Sequence, residues 1–116
     1  MRGDNSVSDR NTDEQVLALR FAHVALPDDA TDCGPWQWHG GDDWRRHFLT
    51  REWNVEGIWV SVAGEQRHDG DVERWLHVGG EDQCTSSDRR LLIAALTDAG
   101  QLLDSLVSEK DSVRRR

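Results

Sequence analysis

The sequence has few residues of several types and no long apolar run. It has no tyrosine, only two cysteines and two prolines in 116 residues, and Lys110 is its single lysine. No run approaches the ~20 apolar residues of a membrane-spanning helix, and residues 1–13 lack the apolar core of a secretion signal. We therefore expect a cytoplasmic protein with no membrane contact. In such a reducing compartment, we expect Cys33 and Cys84 to be buried thiols or metal ligands and not to form a disulfide.

Positive charge is also scarce. The chain has 14 basic and 22 acidic residues, which gives a formal net charge of -8 at pH 7. A negative field disfavours contact with nucleic-acid phosphates and with anionic membranes. We therefore expect a protein partner or a second copy of the chain, and no direct nucleic-acid binding. The acidic surplus leaves open one alternative, an acidic nucleic-acid mimic that binds a DNA-binding protein.

The length of the chain suits one domain with a modest core. Residues 1–11 carry a single valine among polar and charged residues, so we expect a disordered leader there. The single domain is predicted over 12–109, and a charged tail is predicted over 110–116.

Alternating apolar residues predict strands in the middle of the chain. The three segments are REWNV from position 51, IWVSVAGEQ from position 58 and DVERWLHV from position 71. Asp69-Gly70 suits a tight hairpin turn, and Gly79-Gly80 ends the third strand. The pattern predicts a three-stranded antiparallel meander.

The apolar period becomes helical after this meander. Leucines and alanines recur at three- and four-residue steps, which predicts an amphipathic helix over about 86–109 with SSD at its N-terminus. Residues 16–26, VLALRFAHVAL, fit either a helix or a strand. The predicted class is therefore α+β, with an antiparallel meander of about three to four strands packed on one long C-terminal helix and a tryptophan-rich loop.

The loop CGPWQWHGGDDWRRH, residues 33–47, contains candidate metal ligands. Cys33, His39 and His47, joined by Cys84, would supply the thiolate and imidazole groups that zinc prefers. No CxxC or HxxxH spacing supports the site, so it depends on tertiary contact. The alternatives are a structural zinc domain, and buried thiols beside solvated histidines. Apart from possible zinc, no cofactor is expected.

The same loop offers only a weak case for catalysis. His39, Asp42, Asp43 and His47 lie close enough in sequence to form an acid–base cluster. No serine elbow, phosphate-binding loop or HExxH motif accompanies them. We therefore expect a protein that is not an enzyme and has no catalytic residues.

The six tryptophans are the remaining candidates for a functional surface. Strand alternation places Trp59 and Trp75 on one sheet face with Ser61, Glu73 and His77, near each other on adjacent strands. Such a face is typical of a binding surface or a dimer interface. In the alternative, the tryptophan-rich loop folds back and covers this face. The predicted interaction residues are Trp59, Trp75, His77, Trp36, Trp38 and Trp44.

The order of a Trp/Cys/His segment, a hairpin VSVAGEQRHDGDVERWLHVGG and a helix SSDRRLLIAALTDAGQLLDSL resembles small proteins of unknown function from actinobacteria and their phages. The resemblance covers about residues 26–106 and implies no activity. It also implies a strand for residues 16–26. The expected function is a non-enzymatic protein-interaction or self-associating module, such as a homodimer.

Overall fold

The protein is described from a computed structural model, and the description covers residues 14–114. The elements in chain order are α1 (14–20), β1 (Asp32–Cys33), β2 (Gln37–Trp38), β3 (Trp44–Val55), β4 (Ile58–Arg67), β5 (Val72–Gly80) and α2 (Arg89–Arg114). No helix in this part of the chain combines the length and apolar character that a membrane crossing requires.

One antiparallel sheet organises the fold. Its strand order is β1-β3-β4-β5, and β2 also pairs with β3. A two-residue turn joins β3 to β4, since Val55 lies opposite Ile58. Both turn residues have positive φ angles, 50° at Glu56 and 88° at Gly57. A two-residue hairpin turn of type I′ requires positive φ at both of these positions. The predicted α+β class, with an antiparallel sheet against one long C-terminal helix, is confirmed.

Helix α2 covers one end of one sheet face and builds the core there. Val60 and Val62 of β4 are fully buried, and so is Ala99 of α2. The partly buried leucines that complete this core are Leu76, Leu92, Leu96, Leu102, Leu103 and Leu106. The small side chains of Ala95 and Ala99 allow the helix backbone to approach the strands closely.

Residues 14–31 cover the other end of the same face with polar contacts. The Arg46 guanidinium donates to the backbone oxygen of Val24 at 2.9 Å. The Gln66 amide donates to the backbone oxygen of Ala25 at 2.7 Å. Asp29 accepts hydrogen bonds from Arg74 and Thr50, which stand on β5 and β3. We call the side under α2 and residues 14–31 the covered face.

Two sequence expectations about the first half of the chain are wrong. Residues 14–20 form a helix, not the strand that the resemblance implied. Phe21, which follows this helix, is buried, whereas Leu19 is 78% exposed, so the apolar side chains turn inward with a helical period. Strand β3 begins at Trp44 instead of near Arg51. The sequence does not reveal this earlier start, because the charged Arg46 occupies an inward position and breaks the alternation of apolar and polar residues.

The C-terminal helix is also displaced from its predicted bounds. It begins at Arg89 because the Thr85 hydroxyl, not the SSD segment, accepts from the Asp88 backbone and caps the turn. It continues to Arg114 and so includes most of the predicted tail. The predicted leader at 1–11 lies outside the described residues.

Candidate functional site

The side of the sheet opposite α2 forms the candidate site, and we call it the open face. Directly paired residues of an antiparallel sheet project to the same side, so the strand register assigns its members. Ser61 lies opposite His77, Ala63 opposite Trp75, and Glu65 opposite both His47 and Glu73. The open face comprises Arg45, His47, Leu49, Glu52, Trp59, Ser61, Ala63, Glu65, Glu73, Trp75 and His77.

Within residues 14–114, neither α2 nor the segment 14–31 makes a hydrogen bond, ion pair or ring contact to a side chain of the open face. Trp59 is 43% exposed, and the His77 and Glu73 side chains are exposed. Trp75 is only partly exposed, and Ser61 between the two tryptophans is buried. Trp59 is therefore the exposed aromatic residue of this face, and exposed aromatic surface is typical of an interaction surface.

Tryptophans 59 and 75 share this face, as strand alternation predicted, although they do not stand directly opposite one another. Trp59 lies opposite Gly79, and Trp75 lies opposite Ala63. The pair formed by Ser61 and His77 lies between them. The open face therefore carries a row of two indoles and one imidazole across β4 and β5.

A charged network borders this aromatic row. Asp43 receives two short hydrogen bonds from Arg45, of 2.9 and 2.7 Å. The same guanidinium donates to Glu65 at 3.0 Å, and the other Glu65 oxygen lies 3.3 Å from Nε2 of His47. The His47 ring meets the Trp75 ring edge-on at 6.1 Å between centroids. The network thus holds His47, through Glu65, against the Trp75 ring.

Ionisation in this network favours the charged forms. The hydrogen bonds from Arg45 hold the pKa of Asp43 below its ordinary value. The hydrogen bonds to Asp43, with those to Glu65, raise the pKa of Arg45. Asp43 and Glu65 are thus engaged as partners of a permanent cation, so neither is placed as a free general base.

The tryptophans of the loop lie elsewhere. Trp36 is buried, its ring centroid 4.7 Å from that of Phe21 and its face under the Arg46 guanidinium. Trp44 projects to the covered face, where Phe21 approaches it. Trp38 is 62% exposed and pairs with Trp44 at the sheet margin. The alternative in which the loop covers Trp59 and Trp75 is therefore wrong.

The four predicted zinc ligands are not brought together. Cys33 projects to the covered-face side of β1, whereas His47 projects to the open face. The Cys84 thiol donates to the Thr85 backbone oxygen just before α2. Within residues 14–114, no group of three or more histidine, cysteine or acidic side chains is placed to hold a metal ion. Both cysteines are free and exposed, so the expectation of buried thiols is also wrong.

The predicted acid–base cluster of the loop does not assemble either. The His39 backbone donates to the Asp43 backbone oxygen across a turn, and the side chain of Asp43 is bound to Arg45. Asp42 is exposed at the turn. The loop residues thus make a structural turn that presents Asp43 to Arg45.

One feature that sequence reasoning missed is a cleft of about 580 Å³ between α1 and the tryptophan-rich segment. Arg46 lines it beside Phe21, Trp36 and Cys33. Burial lowers the pKa of Arg46, whereas the nearby Cys33 thiol acts in the opposite direction. No sequence signal marks this cleft, because an inward arginine on β3 looks like an ordinary surface charge.

The fold and the open face together define an α+β protein with a single antiparallel sheet, one face of which is covered. No protein-family model matches the chain, and no match is found among curated proteins or solved structures. The resemblance to small actinobacterial and phage proteins therefore stays a prediction.

Proposed function

We propose that this protein is a non-enzymatic interaction module that binds another protein chain through its open face. The observation that carries the proposal is the contrast between Trp59, 43% exposed on the open face, and the fully buried Val60 next to it in β4. Aromatic residues are enriched in protein interfaces because each removes a large area from water at low cost in side-chain entropy.

The chemistry around the two indoles suits a protein partner. The His47 ring contacts Trp75, and both His47 and Arg45 interact with Glu65, so this part of the surface combines charge with aromatic area. Interfaces commonly combine an aromatic centre with such a polar rim. The proposal includes a cytoplasmic location, which the two exposed, unpaired cysteines support, since exposed thiols persist in reducing compartments.

The test compares tryptophans on different sides of the molecule. Trp59→Ser combined with Trp75→Ser removes the aromatic centre of the open face, and Trp38→Ser is the matched control, since Trp38 is exposed away from that face. Sedimentation velocity over a range of concentrations reports self-association of each purified variant. We expect the double variant to lose association and the control to keep it.

A partner of different sequence is tested with the same variants as affinity baits. The proposal fails if the wild type is monomeric at all concentrations and recovers no protein that the double variant leaves behind. It also fails if Trp38→Ser abolishes association while the double variant retains it. Circular dichroism spectra of all variants check that the fold is intact.

A further inference from the structure

We infer that the cleft between α1 and the tryptophan-rich segment binds a small organic carboxylate, whose charged group is held by Arg46 and whose apolar body lies between the walls of the cleft. The inference goes beyond the proposed function, because the cleft lies on the covered-face side of the molecule and the open face takes no part in it. It follows from the lining of the cleft, from the unused hydrogen-bond donors of Arg46 and from the charges around that residue.

The cleft has the size and the lining of a small-molecule site. Its volume is about 580 Å³. Ligand pockets in proteins are typically about 300–1,000 Å³ in volume and mostly apolar, with a few polar groups that fix the orientation of the ligand. Apolar side chains from α1 and from the tryptophan-rich segment line this one, among them Leu17, Ala18, Phe21, Pro35 and Trp36.

Buried rings support the cleft from beneath. Phe21 and Trp36 are both buried, and their ring centroids lie 4.7 Å apart. The Arg46 guanidinium lies 4.5 Å from the centroid of the Trp36 ring. These contacts hold the aromatic wall and the cation in place before any ligand arrives, and such preorganisation lowers the entropy cost of binding.

Arg46 has hydrogen-bond donors left for a ligand. A guanidinium carries five N–H groups. Nε donates to the Gln66 side chain at 2.8 Å, and Nη2 donates to the backbone oxygen of Val24 at 2.9 Å. Among residues 14–114, no buried side-chain nitrogen lacks an acceptor, so Nη1, which donates to none of these residues, is accessible. Nη1 and the second hydrogen of Nη2 form the fork that binds a carboxylate through two parallel hydrogen bonds.

The charge of Arg46 also lacks a carboxylate partner. Arg74 likewise projects to the covered face, and there Asp29 binds it at 2.6 Å. None of the ion pairs within residues 14–114 includes Arg46, whose two acceptors are neutral oxygens. Burial lowers the pKa of Arg46, so its surroundings disfavour the charged form. A ligand carboxylate would supply the partner that Asp29 supplies to Arg74.

A single negative charge suits this cleft better than a phosphate does. Of the described lining residues, Arg46 is the one cation, whereas Glu14 also lines the cleft at the exposed start of α1. Asp32 lies near the same wall, where its side chain accepts from the backbone of Cys33. Because like charges disfavour a further anionic group, a dianion would meet repulsion that a lone carboxylate largely avoids. The ligand is therefore a monocarboxylate with an apolar body.

The first test measures binding of 1-naphthylacetate to the full chain and uses 1-naphthylacetamide as the matched neutral compound. Nitrogen–proton NMR follows the backbone amides of Cys33 and Gly34 and the indole of Trp36. We expect saturable shifts for the carboxylate with a Kd of about 1 mM or lower, and binding of the amide at least about tenfold weaker. The indole signal of Trp59, on the open face, should stay in place.

A pair of α1 variants tests the location without changing Arg46. Ala18→Trp extends a bulky ring into the cleft from an exposed position. Leu19→Trp is the matched control, because Leu19 is 78% exposed and does not line the cleft. We expect Ala18→Trp to weaken binding at least about tenfold and Leu19→Trp to keep the wild-type Kd within about twofold. Circular dichroism spectra check that both variants are folded.

Two variants of Arg46 test its role in holding the carboxylate. Arg46→Gln removes the charge and should make the Kd values of the acid and the amide equal to within about twofold. Arg46→Lys keeps a point charge without the planar fork, so it should retain part of the preference for the acid. Urea denaturation of both variants shows whether loss of the hydrogen bonds to Gln66 and Val24 has disturbed the fold.

The two cysteines provide a second readout within one chain. Cys33 is exposed and lines the cleft, whereas Cys84 is exposed just before α2 and does not line it. Iodoacetamide alkylates both thiols, and mass spectrometry follows each rate. We expect 1-naphthylacetate to slow alkylation of Cys33 with a midpoint at the Kd from NMR, and to leave the rate at Cys84 unchanged.

The outcomes decide the inference independently of the proposed function. Saturable binding that Ala18→Trp abolishes, that Arg46→Gln makes insensitive to charge and that protects Cys33 alone supports it. No saturable shift up to about 10 mM ligand, equal binding of acid and amide by the wild type, or equal protection of both cysteines overturns it. Trp59→Ser combined with Trp75→Ser should bind the carboxylate like the wild type, because the open face is not part of the cleft.

Discussion

The two faces of the sheet use adjacent residues of the same strands for different purposes. On the covered face, Val60 and Val62 are fully buried under α2. On the open face, Trp59 is 43% exposed and Glu65 takes part in a charged network. Because side chains alternate along a strand, one segment of ten residues supplies both the core and the candidate interface.

The difference shows where the apolar core of the fold lies. The apolar area that drives folding lies between α2 and the covered face, and the polar contacts of Asp29, Arg46 and Gln66 complete that side. Large aromatic residues that are left out of this packing require a different explanation. The proposed association with another chain would provide it, since removal of apolar surface from water also drives binding.

The largest expected effect is on the covered face. Val62→Ala removes two buried methyl groups and leaves a cavity, so it should lower the free energy of unfolding by about 2–3 kcal/mol. The matched control is Val78→Ala, the same change at a residue that is 49% exposed, and it should cost less than half as much. Equal losses of unfolding free energy in urea denaturation would contradict the assignment of Val62 to the core and of Val78 to an exposed position.

The second effect concerns the polar end of the covered face. Burial opposes ionisation of Asp29, but hydrogen bonds from Arg74 and Thr50 outweigh it and lower the pKa. Asp29→Asn should reduce the free energy of unfolding by about 2 kcal/mol at pH 7, because it removes charged hydrogen bonds. Asp28→Asn, at an exposed neighbour, should have little effect.

The pH dependence of this effect has a definite sign. A carboxylate whose folded pKa is depressed stabilises the protein above its unfolded pKa, about 4, and loses that contribution as pH falls through the lower folded value. The stability difference between wild type and Asp29→Asn should therefore narrow below about pH 4. A constant difference in denaturation experiments from pH 7 to pH 2 would contradict the role of the ion pair.

A third comparison separates packing from helix propensity within α2. Gly100 is partly buried, yet a Cβ atom placed there would meet nothing within 4 Å. Gly100→Ala should therefore stabilise the protein by about 1 kcal/mol in thermal and urea unfolding. Ala99→Gly next to it should destabilise by about 2 kcal/mol, since it loses a fully buried methyl as well as propensity. A loss of stability in Gly100→Ala would show hidden close packing.

The smallest effect is expected on the open face. Glu73→Ala and His77→Ala should each change the free energy of unfolding by less than about 0.5 kcal/mol, because both side chains are exposed. The measurement is made at low protein concentration, where association contributes little. A cost above about 1 kcal/mol would mean that these side chains stabilise the isolated chain, which contradicts an open face.

Regular patterns made part of the fold predictable. Ile58, Val60 and Val62 alternate with polar or exposed positions, and the leucines of α2 recur with a helical period, so the meander and the helix follow from the sequence. Alternation also placed Trp59 and Trp75 on one face. These features depend on local periodicity, which a single sequence records directly.

Features that depend on tertiary contacts were not predictable. Arg46 occupies an inward position because Gln66 and the Val24 backbone accept its hydrogen bonds, and no local pattern shows those partners. Residues 16–26 fit two periods, and contact of Phe21 with Trp36 accompanies the helix. The predicted zinc ligands are a similar case, since only the fold decides whether Cys33 and Cys84 meet, and in the described residues they do not.

The central claim is that the protein associates through the aromatic row of the open face. The most direct measurement is fluorine NMR of the protein labelled with 5-fluorotryptophan, in which single substitutions assign the six signals. On dilution, we predict that the signals of Trp59 and Trp75 shift, whereas those of Trp36, Trp38, Trp44 and Trp53 stay in place. A dilution series in which the Trp38 signal moves and neither open-face signal does would contradict the account.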